Sequence, residues 1–216
     1  MDQVTQPGVG VVVVPDLAAP EDLEVNVVLE NERQSEDMRA ALAGGAHARG
    51  VNPQNAEDAK RRLMRDLKQL HTNKNERFWA RPESDNLFKW KAVVLGPEDT
   101  IWEGGVFKLW LEFSDEYPCA PPSAHFVTKM FHPNVYVNGD ICLDTLKSNW
   151  SPTLDVESVL LMITSLLSDP NPSSAANGEA AKMFAHNRDK YEERVRRLVE
   201  ESLEQAFSDE DDGDEE

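Results

Sequence analysis

Cys142 is one of only two cysteines in the 216-residue chain, and it sits within residues 131–150, FHPNVYVNGDICLDTLKSNW. The Asn138-Gly139 pair just before it is a turn signal, so a loop position with the sulfur at least partly exposed is expected. A thiol placed there is either a nucleophile or an incidental small apolar group. His132 lies ten residues earlier and suggests a Cys/His pair, as in a cysteine hydrolase. Against that, Pro133 restricts the histidine backbone to extended conformations, and nothing around the cysteine has a protease-like signature. A metal centre is weaker still, because Cys119, Cys142, His125 and His132 lack zinc-ligand spacing. Asp140 and Asp144 flank the thiol and disfavour its thiolate, and the nearest cation in sequence is Lys147. The expectation is a thiol that waits for a matched donor.

The segments that must hold this loop are legible on both sides of it. Ala59, Leu63, Leu67 and Leu70 recur at helical spacing, with Lys60, Arg61, Arg62, Arg65 and Lys68 on the other faces. This predicts an amphipathic helix with a basic surface. Stretches rich in aromatic and β-branched residues follow at 87–95, 106–113 and 124–127, separated by Gly96-Pro97, Gly104-Gly105 and the 117–122 segment YPCAPP. Such close spacing suits hairpins and an antiparallel meander, with Phe107, Leu109, Leu111 and Phe113 facing the core. Residues 156–167 are apolar on nearly every face, which predicts a buried central helix capped by Asp155 and ended by Pro170. A last helix is expected over 187–207, with Tyr191, Val195, Leu198, Val199 and Ser202 on one face and Glu192/Arg196 and Glu193/Arg197 pairs on another.

The chain carries 22 Lys and Arg against 40 Asp and Glu, a net charge of −18. That balance argues against direct nucleic-acid binding and favours basic or neutral partners. The excess acid sits at the ends: residues 1–55 hold 9 acidic and 3 basic side chains, and residues 208–216 hold 7 acidic and none basic. The expected organisation is an N-terminal extension over 1–56, largely disordered, a central domain over 57–207, and an acidic disordered tail over 208–216. No basic region followed by an apolar core marks a signal peptide, and the Val11 to Val14 run is far short of a membrane span. With only two cysteines, a reducing intracellular compartment and no membrane association are expected, and the Asn149-Trp150-Ser151 sequon should stay unused.

His132-Pro133-Asn134, followed by Cys142 within Gly139-Asp140-Ile141-Cys142-Leu143-Asp144, resembles the active-site signature of the ubiquitin-conjugating enzymes. Gly96-Pro97, the YPCAPP segment, Trp150-Ser151-Pro152 and Asp169-Pro170-Asn171-Pro172 fall in the family's order, and the resemblance covers roughly residues 57–207. The combination is far more specific than any one motif. Residues 126–144 and 165–177 look most similar to the DNA-repair and N-end-rule branch, some members of which end in an acidic tail. The resemblance implies an α+β fold: an N-terminal helix, a four-stranded antiparallel meander, the active-site loop, a buried central helix and C-terminal helices.

It also implies a function. Cys142 would take ubiquitin from the activating enzyme as a thioester and pass it, usually with a ligase, to substrate lysines. Asn134 would stabilise an oxyanion or hold the loop; His132, Pro133 and Asp144 would be structural. Many relatives place an aspartate after the central helix to orient the incoming lysine. Here Ser174 is the best positional match, and phosphorylation would restore the charge. Activating enzyme and RING-type ligases would read Arg61, Arg62, Arg65, Cys119, Ala120, Ser151, Pro152 and Thr153. No bound cofactor and no metal are expected, ATP being consumed upstream by the activating enzyme. The acidic tail could recruit basic substrates such as histones, and the implied location is cytoplasmic and nuclear. A carrier of a ubiquitin-like modifier and a non-catalytic ubiquitin-binding cofactor are the alternatives, the second disfavoured by the presence of both Cys142 and Asn134.

Overall fold

The computed structural model describes residues 53–171 and 174–211. Most of the 1–56 extension and the end of the acidic tail therefore lie outside the described residues. The first helix, α1 (Pro53–Asn73), begins at a proline, whose missing N–H costs nothing in a first helical turn. Residues 53–56, assigned from sequence to the extension, thus belong to the helix. Ala59, Leu63 and Leu70 are buried on its inner face, with Leu67 partly so.

Four strands follow, β1 (Phe78–Glu83), β2 (Asn86–Leu95), β3 (Val106–Glu112) and β4 (Ser123–Phe126), in an antiparallel sheet of order β1-β2-β3-β4. Strand β1 was not visible as a separate stretch, because Arg81 and Pro82 interrupt its apolar alternation. Its place at the sheet edge is what tolerates Pro82. The register sets Leu109 opposite Ala92 and Phe126, and Leu111 opposite Trp90 and Ala124. As expected, Phe107, Leu109, Leu111 and Phe113 face the core; Val106, on the other face, is buried as well. Its backbone N–H donates to Ser202 Oγ at 3.1 Å, so the last helix covers the start of β3. Gly96 closes the β2–β3 connection by donating its N–H to Gly105 O at 2.8 Å. A Cβ at Gly96 would lie 1.6 Å from Trp102 O, so no larger residue fits this corner.

After β4 the chain forms the Cys142 loop, a short 3-10 turn at Asp144–Leu146, and the central helix α2 (Val156–Ser168). Asp155 caps α2 by accepting from Ser158 N at 2.8 Å. Val156, Val159, Leu160, Ile163, Leu166 and Leu167 are buried, but Leu161 is 44 % exposed. The helix is therefore central without being enclosed on every side. Two helices end the fold, α3 (Gly178–His186) and α4 (Arg188–Asp211). The expected start of the last helix near 187 is where α3 ends, at its cap Asn187. Tyr191, Val195, Leu198 and Ser202 form the buried face of α4, and Arg196 and Arg197 pair with Glu192 and Glu193. Helix α4 continues through Asp211, four residues into the stretch expected to be a disordered tail from Ser208.

Helices α1 and α2 pack against β2 and against each other, while α4 lies on β3 and α3. The result is the α+β arrangement that the sequence implied, with Trp90, Trp102, Phe107, Leu160 and Ile163 at its centre.

Candidate active site

The site is built by a loop that turns back on itself. Tyr136 donates its backbone N–H to Asp140 O and receives the Gly139 N–H on its own carbonyl, both at 2.9 Å. Gly139 adopts a φ of +102°, and a Cβ there would meet Phe126 O at 2.3 Å. This is the asparagine-glycine turn expected from sequence, and it needs its glycine on both counts. The returning arm leans on β4 through Ile141 N to Ala124 O at 3.1 Å and Phe126 N to Gly139 O at 2.9 Å. His125 and Asp140 add an exposed pair across the same edge at 2.9 Å.

His132, Pro133 and Asn134 join this loop to the helical half of the fold. His132 is fully buried. Its Nε2 lies 3.0 Å from Leu166 O, and its Nδ1 is 3.0 Å from the Asn134 N–H. A carbonyl can only accept and an N–H only donate, so the ring is the neutral tautomer with the proton on Nε2. Burial lowers its pKa to about 4, against the smaller opposing effect of the Leu166 carbonyl. Both ring nitrogens are occupied, so the Cys/His pair is excluded and His132 is structural. The Pro133 carbonyl accepts from Ala176 N at 2.8 Å and Asn177 N at 3.0 Å. Asn134 donates its two amide protons to Asn171 O at 2.7 Å and Ser174 O at 2.8 Å, and its Oδ1 accepts from Asn171 N at 2.8 Å. Its backbone carbonyl receives the Cys142 N–H at 2.8 Å.

Of the two roles raised for Asn134, this geometry matches loop holding. To serve an oxyanion the amide must first release Asn171 or Ser174.

Cys142 as a residue is 9 % exposed, while its sulfur is only partly buried, in keeping with the partly exposed thiol expected. Three side chains surround its sulfur. The Lys147 ammonium donates to Sγ at 3.1 Å, the Ser174 hydroxyl lies at 3.6 Å, and the Tyr136 hydroxyl also contributes. Burial alone pushes the thiol up. The Lys147 and Ser174 hydrogen bonds, the Lys147 charge and the Tyr136 hydroxyl outweigh it, and the thiol titrates below its ordinary value. This corrects the expectation, drawn from the flanking Asp140 and Asp144, that the surroundings disfavour the thiolate. Asp144 acts through its backbone: its carbonyl accepts from Lys147 N and Asn149 N, both at 3.0 Å. That turn swings Lys147 back onto the sulfur five residues before it in sequence. Lys147 and Tyr136 were not singled out as site residues, and Lys147's standing as the nearest cation was the only signal. Among the described residues, no group of three or more His, Cys, Asp and Glu could hold a metal ion.

The residues expected to meet partners divide in two. Arg61 and Arg65 on α1, Cys119, Pro152 and Thr153 are exposed, and Ala120 and Ser151 are half-buried. Arg61 pairs with Asp58 at 2.6 Å, and Ser151 and Thr153 share a hydroxyl hydrogen bond of 2.8 Å. Arg62 differs. Its side chain is 11 % exposed and pairs with the buried Asp66 at 2.8 Å. It also donates to Pro152 O at 2.7 Å and Leu154 O at 2.6 Å. Asp66 in turn accepts from the Tyr117 hydroxyl at 2.6 Å, and Trp150 Nε1 donates to Pro118 O at 2.8 Å. Arg62 is therefore an internal fastener joining α1 to the 150–154 loop, its guanidinium committed to that joint. It does hold the expected surface segments side by side.

Comparison with known proteins agrees with this architecture. Residues 62–199 match the family described as ubiquitin-conjugating enzyme. A relative from Caenorhabditis elegans, ubiquitin-conjugating enzyme E2 1, is 50 % identical over 144 residues, which is 67 % of this chain and 75 % of the relative. Ubiquitin-conjugating enzyme E2 3 of Arabidopsis thaliana is 49 % identical over 144 residues, 67 % of this chain and 96 % of the relative. The fold and these relatives define the protein as an acyltransferase. It belongs to the ubiquitin-conjugating enzyme family.

Proposed function

We propose that the protein accepts ubiquitin from an activating enzyme as a thioester on Cys142 and transfers it, with RING-type ligases, to substrate lysines. The observation that carries this is the environment of the sulfur. A thiol lowered by an ammonium at 3.1 Å has a larger thiolate fraction at neutral pH, and the thiolate is the species that attacks a donor thioester. Thioester exchange conserves the energy of the bond and leaves an acyl group reactive toward amines.

The other residues support that step in assigned ways. Asn134 binds Asn171 and Ser174, and so holds Ser174 beside the sulfur. Ser174, whose hydroxyl lies 3.6 Å from the sulfur, would orient an arriving lysine, and as a neutral hydroxyl it supplies no charge. Arg61, Arg65, Cys119, Ala120, Ser151, Pro152 and Thr153 make the surface for activating enzyme and ligases. The affinity with the DNA-repair and N-end-rule branch and the acidic end of the chain favour basic substrates such as histones. Two free thiols, Cys119 and Cys142, suit the reducing cytoplasm and nucleus.

The test is to incubate the protein with activating enzyme, ATP and ubiquitin and to run gels with and without reductant. A reductant-sensitive adduct one ubiquitin heavier, lost in Cys142→Ala, is the expected result. Its absence with ubiquitin and with every ubiquitin-like modifier tried refutes the proposal.

A further inference from the structure

We infer that Asp140 is a specificity-determining residue of the acceptor site: its carboxylate reads a lysine or arginine two positions from the lysine that takes the acyl group. The inference rests on Cys142 being the thioester carrier, and it names a feature of the preferred acceptor that this role alone does not supply.

Placement is the first argument. The arm that carries the sulfur is extended, with Asp140 bridged to His125 and Ile141 bridged to Val135. It is held from both sides: Ile141 N donates to Ala124 O at 3.1 Å and Cys142 N to Asn134 O at 2.8 Å. Ile141 is buried, so by the alternation of extended chain Asp140 and Cys142 share the opposite face, about 7 Å apart along the arm. An acceptor segment lying extended over this arm has the same period. With its lysine at the sulfur, the side chain two positions away lies over Asp140. Both side chains cross the same gap, so the second must be as long as the first, which selects arginine or another lysine.

The carboxylate itself is the second argument. Its side chain is 56 % exposed, yet it is fixed. His125 Nδ1 lies 2.9 Å from Oδ1, Asn138 Nδ2 donates to Oδ2 at 2.8 Å, and Asp140 N donates to Asn138 Oδ1 at 3.3 Å. The hydrogen bond with His125, and after it that of Asn138, hold the carboxyl below its ordinary value, so it is ionised throughout the neutral range. The two oxygens accept about four hydrogen bonds between them, which leaves places for a guanidinium or ammonium arriving from solvent. A charge fixed beforehand loses little freedom when the cation docks. The gain is that of a partly exposed ion pair, about fivefold in rate at the upper end of what such pairs contribute.

Register separates this readout from general attraction. The acidic run at 208–216 would draw in a cation anywhere on an acceptor. Asp140 responds only to a cation at one spacing from the reacting lysine.

The experiment charges the full chain with ubiquitin, stops the activating enzyme, and measures single-turnover discharge to synthetic peptides. Each peptide has a single lysine, with arginine, glutamine or glutamate at the second position before or after it. In one of the two directions the arginine peptide should be about fivefold faster than its glutamine counterpart, with the glutamate peptide slowest. Moving the arginine to the first or third position should remove the gain, and so should high salt. Asp140→Asn should abolish the arginine preference, and Asp140→Arg should reverse it in favour of glutamate. Rates are compared among peptides within each variant, so a general change of activity cancels. Equal rates for the arginine and glutamine peptides in both directions overturn the inference while leaving the carrier role intact. So does an arginine gain that ignores position, survives in Asp140→Asn or is not reversed in Asp140→Arg. Failure to form any reductant-sensitive adduct overturns both.

Discussion

Lowering the pH should loosen this fold through one buried imidazole. His132 has a pKa of about 4 in the folded protein against 6.5 for the free side chain, chiefly because burial disfavours the imidazolium. Between those values the unfolded chain binds a proton that the folded chain refuses, so unfolding takes up a proton and stability rises with pH. The contribution is fully present above about pH 6.5 and is lost as the pH falls toward about 4. At about 1.4 kcal/mol for each pKa unit, the interval amounts to about 3 kcal/mol, a large part of the stability of an ordinary domain. Carboxylates with lowered pKa values, the exposed Asp140 and the half-buried Glu192 among them, also favour the folded state less as they protonate. The comparison must therefore isolate the histidine.

His132→Gln does so, because a glutamine amide can donate to Leu166 O and accept from the Asn134 N–H without titrating. Urea unfolding at intervals from pH 4 to pH 7 should show the steeper pH dependence in the natural protein. The two slopes should differ by up to about 1.4 kcal/mol per pH unit inside the window and converge above it. Equal slopes would mean that His132 is not the group that titrates, and the buried neutral tautomer would be the wrong description.

Asn134→Ala removes three hydrogen bonds to Asn171 and Ser174. It should cost about 3 kcal/mol at about 1 kcal/mol each, read as a lower urea midpoint; an unchanged midpoint with slowed lysine transfer would restore the oxyanion role. Arg62→Ala leaves the Asp66 carboxylate, 2 % exposed, without its cation, and should cost roughly 3 kcal/mol. Weaker ligase binding with no loss of stability would return Arg62 to the docking surface. Lys147→Leu removes the ammonium at 3.1 Å, so the pH at which iodoacetamide alkylates Cys142 half-maximally should move up, and no movement would assign the lowered thiol to other groups. Ser174→Asp sets a carboxylate beside the sulfur and should move the same midpoint up while speeding discharge to free lysine. Unchanged discharge would show that this position does not orient the acceptor.

What could be read from the sequence was whatever depends on neighbours in the chain. The inward alternation of Phe107, Leu109 and Leu111 and the cap at Asp155 are local patterns, and the structure follows them. Strand β1 escaped because Pro82 is tolerated only at a sheet edge, which a one-dimensional pattern does not mark. Arg62 read as surface charge because Pro152 and Leu154, which accept its protons, lie some ninety residues on. The thiol's environment was misjudged for the same reason at shorter range. Asp140 and Asp144 flank Cys142 in sequence, but the 3-10 turn carries Lys147 to the sulfur, and geometry rather than sequence distance decides the local field.

The HPN triplet shows how the two kinds of information meet. As letters it selected Cys142 by resemblance, without a physical reason for any of its three residues. In the structure each residue supplies one part of a single joint: the His132 ring to Leu166 of α2, the Pro133 carbonyl to Ala176 and Asn177 ahead of α3, and the Asn134 amide to Asn171 and Ser174. The other side of Asn134, its backbone carbonyl, holds the Cys142 N–H. The sulfur and the hydroxyl of Ser174 are thus set 3.6 Å apart by one residue that grips both strands of chain. No residue of the joint needs to exchange a proton for it to work, and burial that keeps His132 neutral is part of what makes it firm. The chemistry is left to the groups outside the joint, the Cys142 thiol and the Lys147 ammonium, which is why the residues most useful for recognising the site are not those that tune its reactivity.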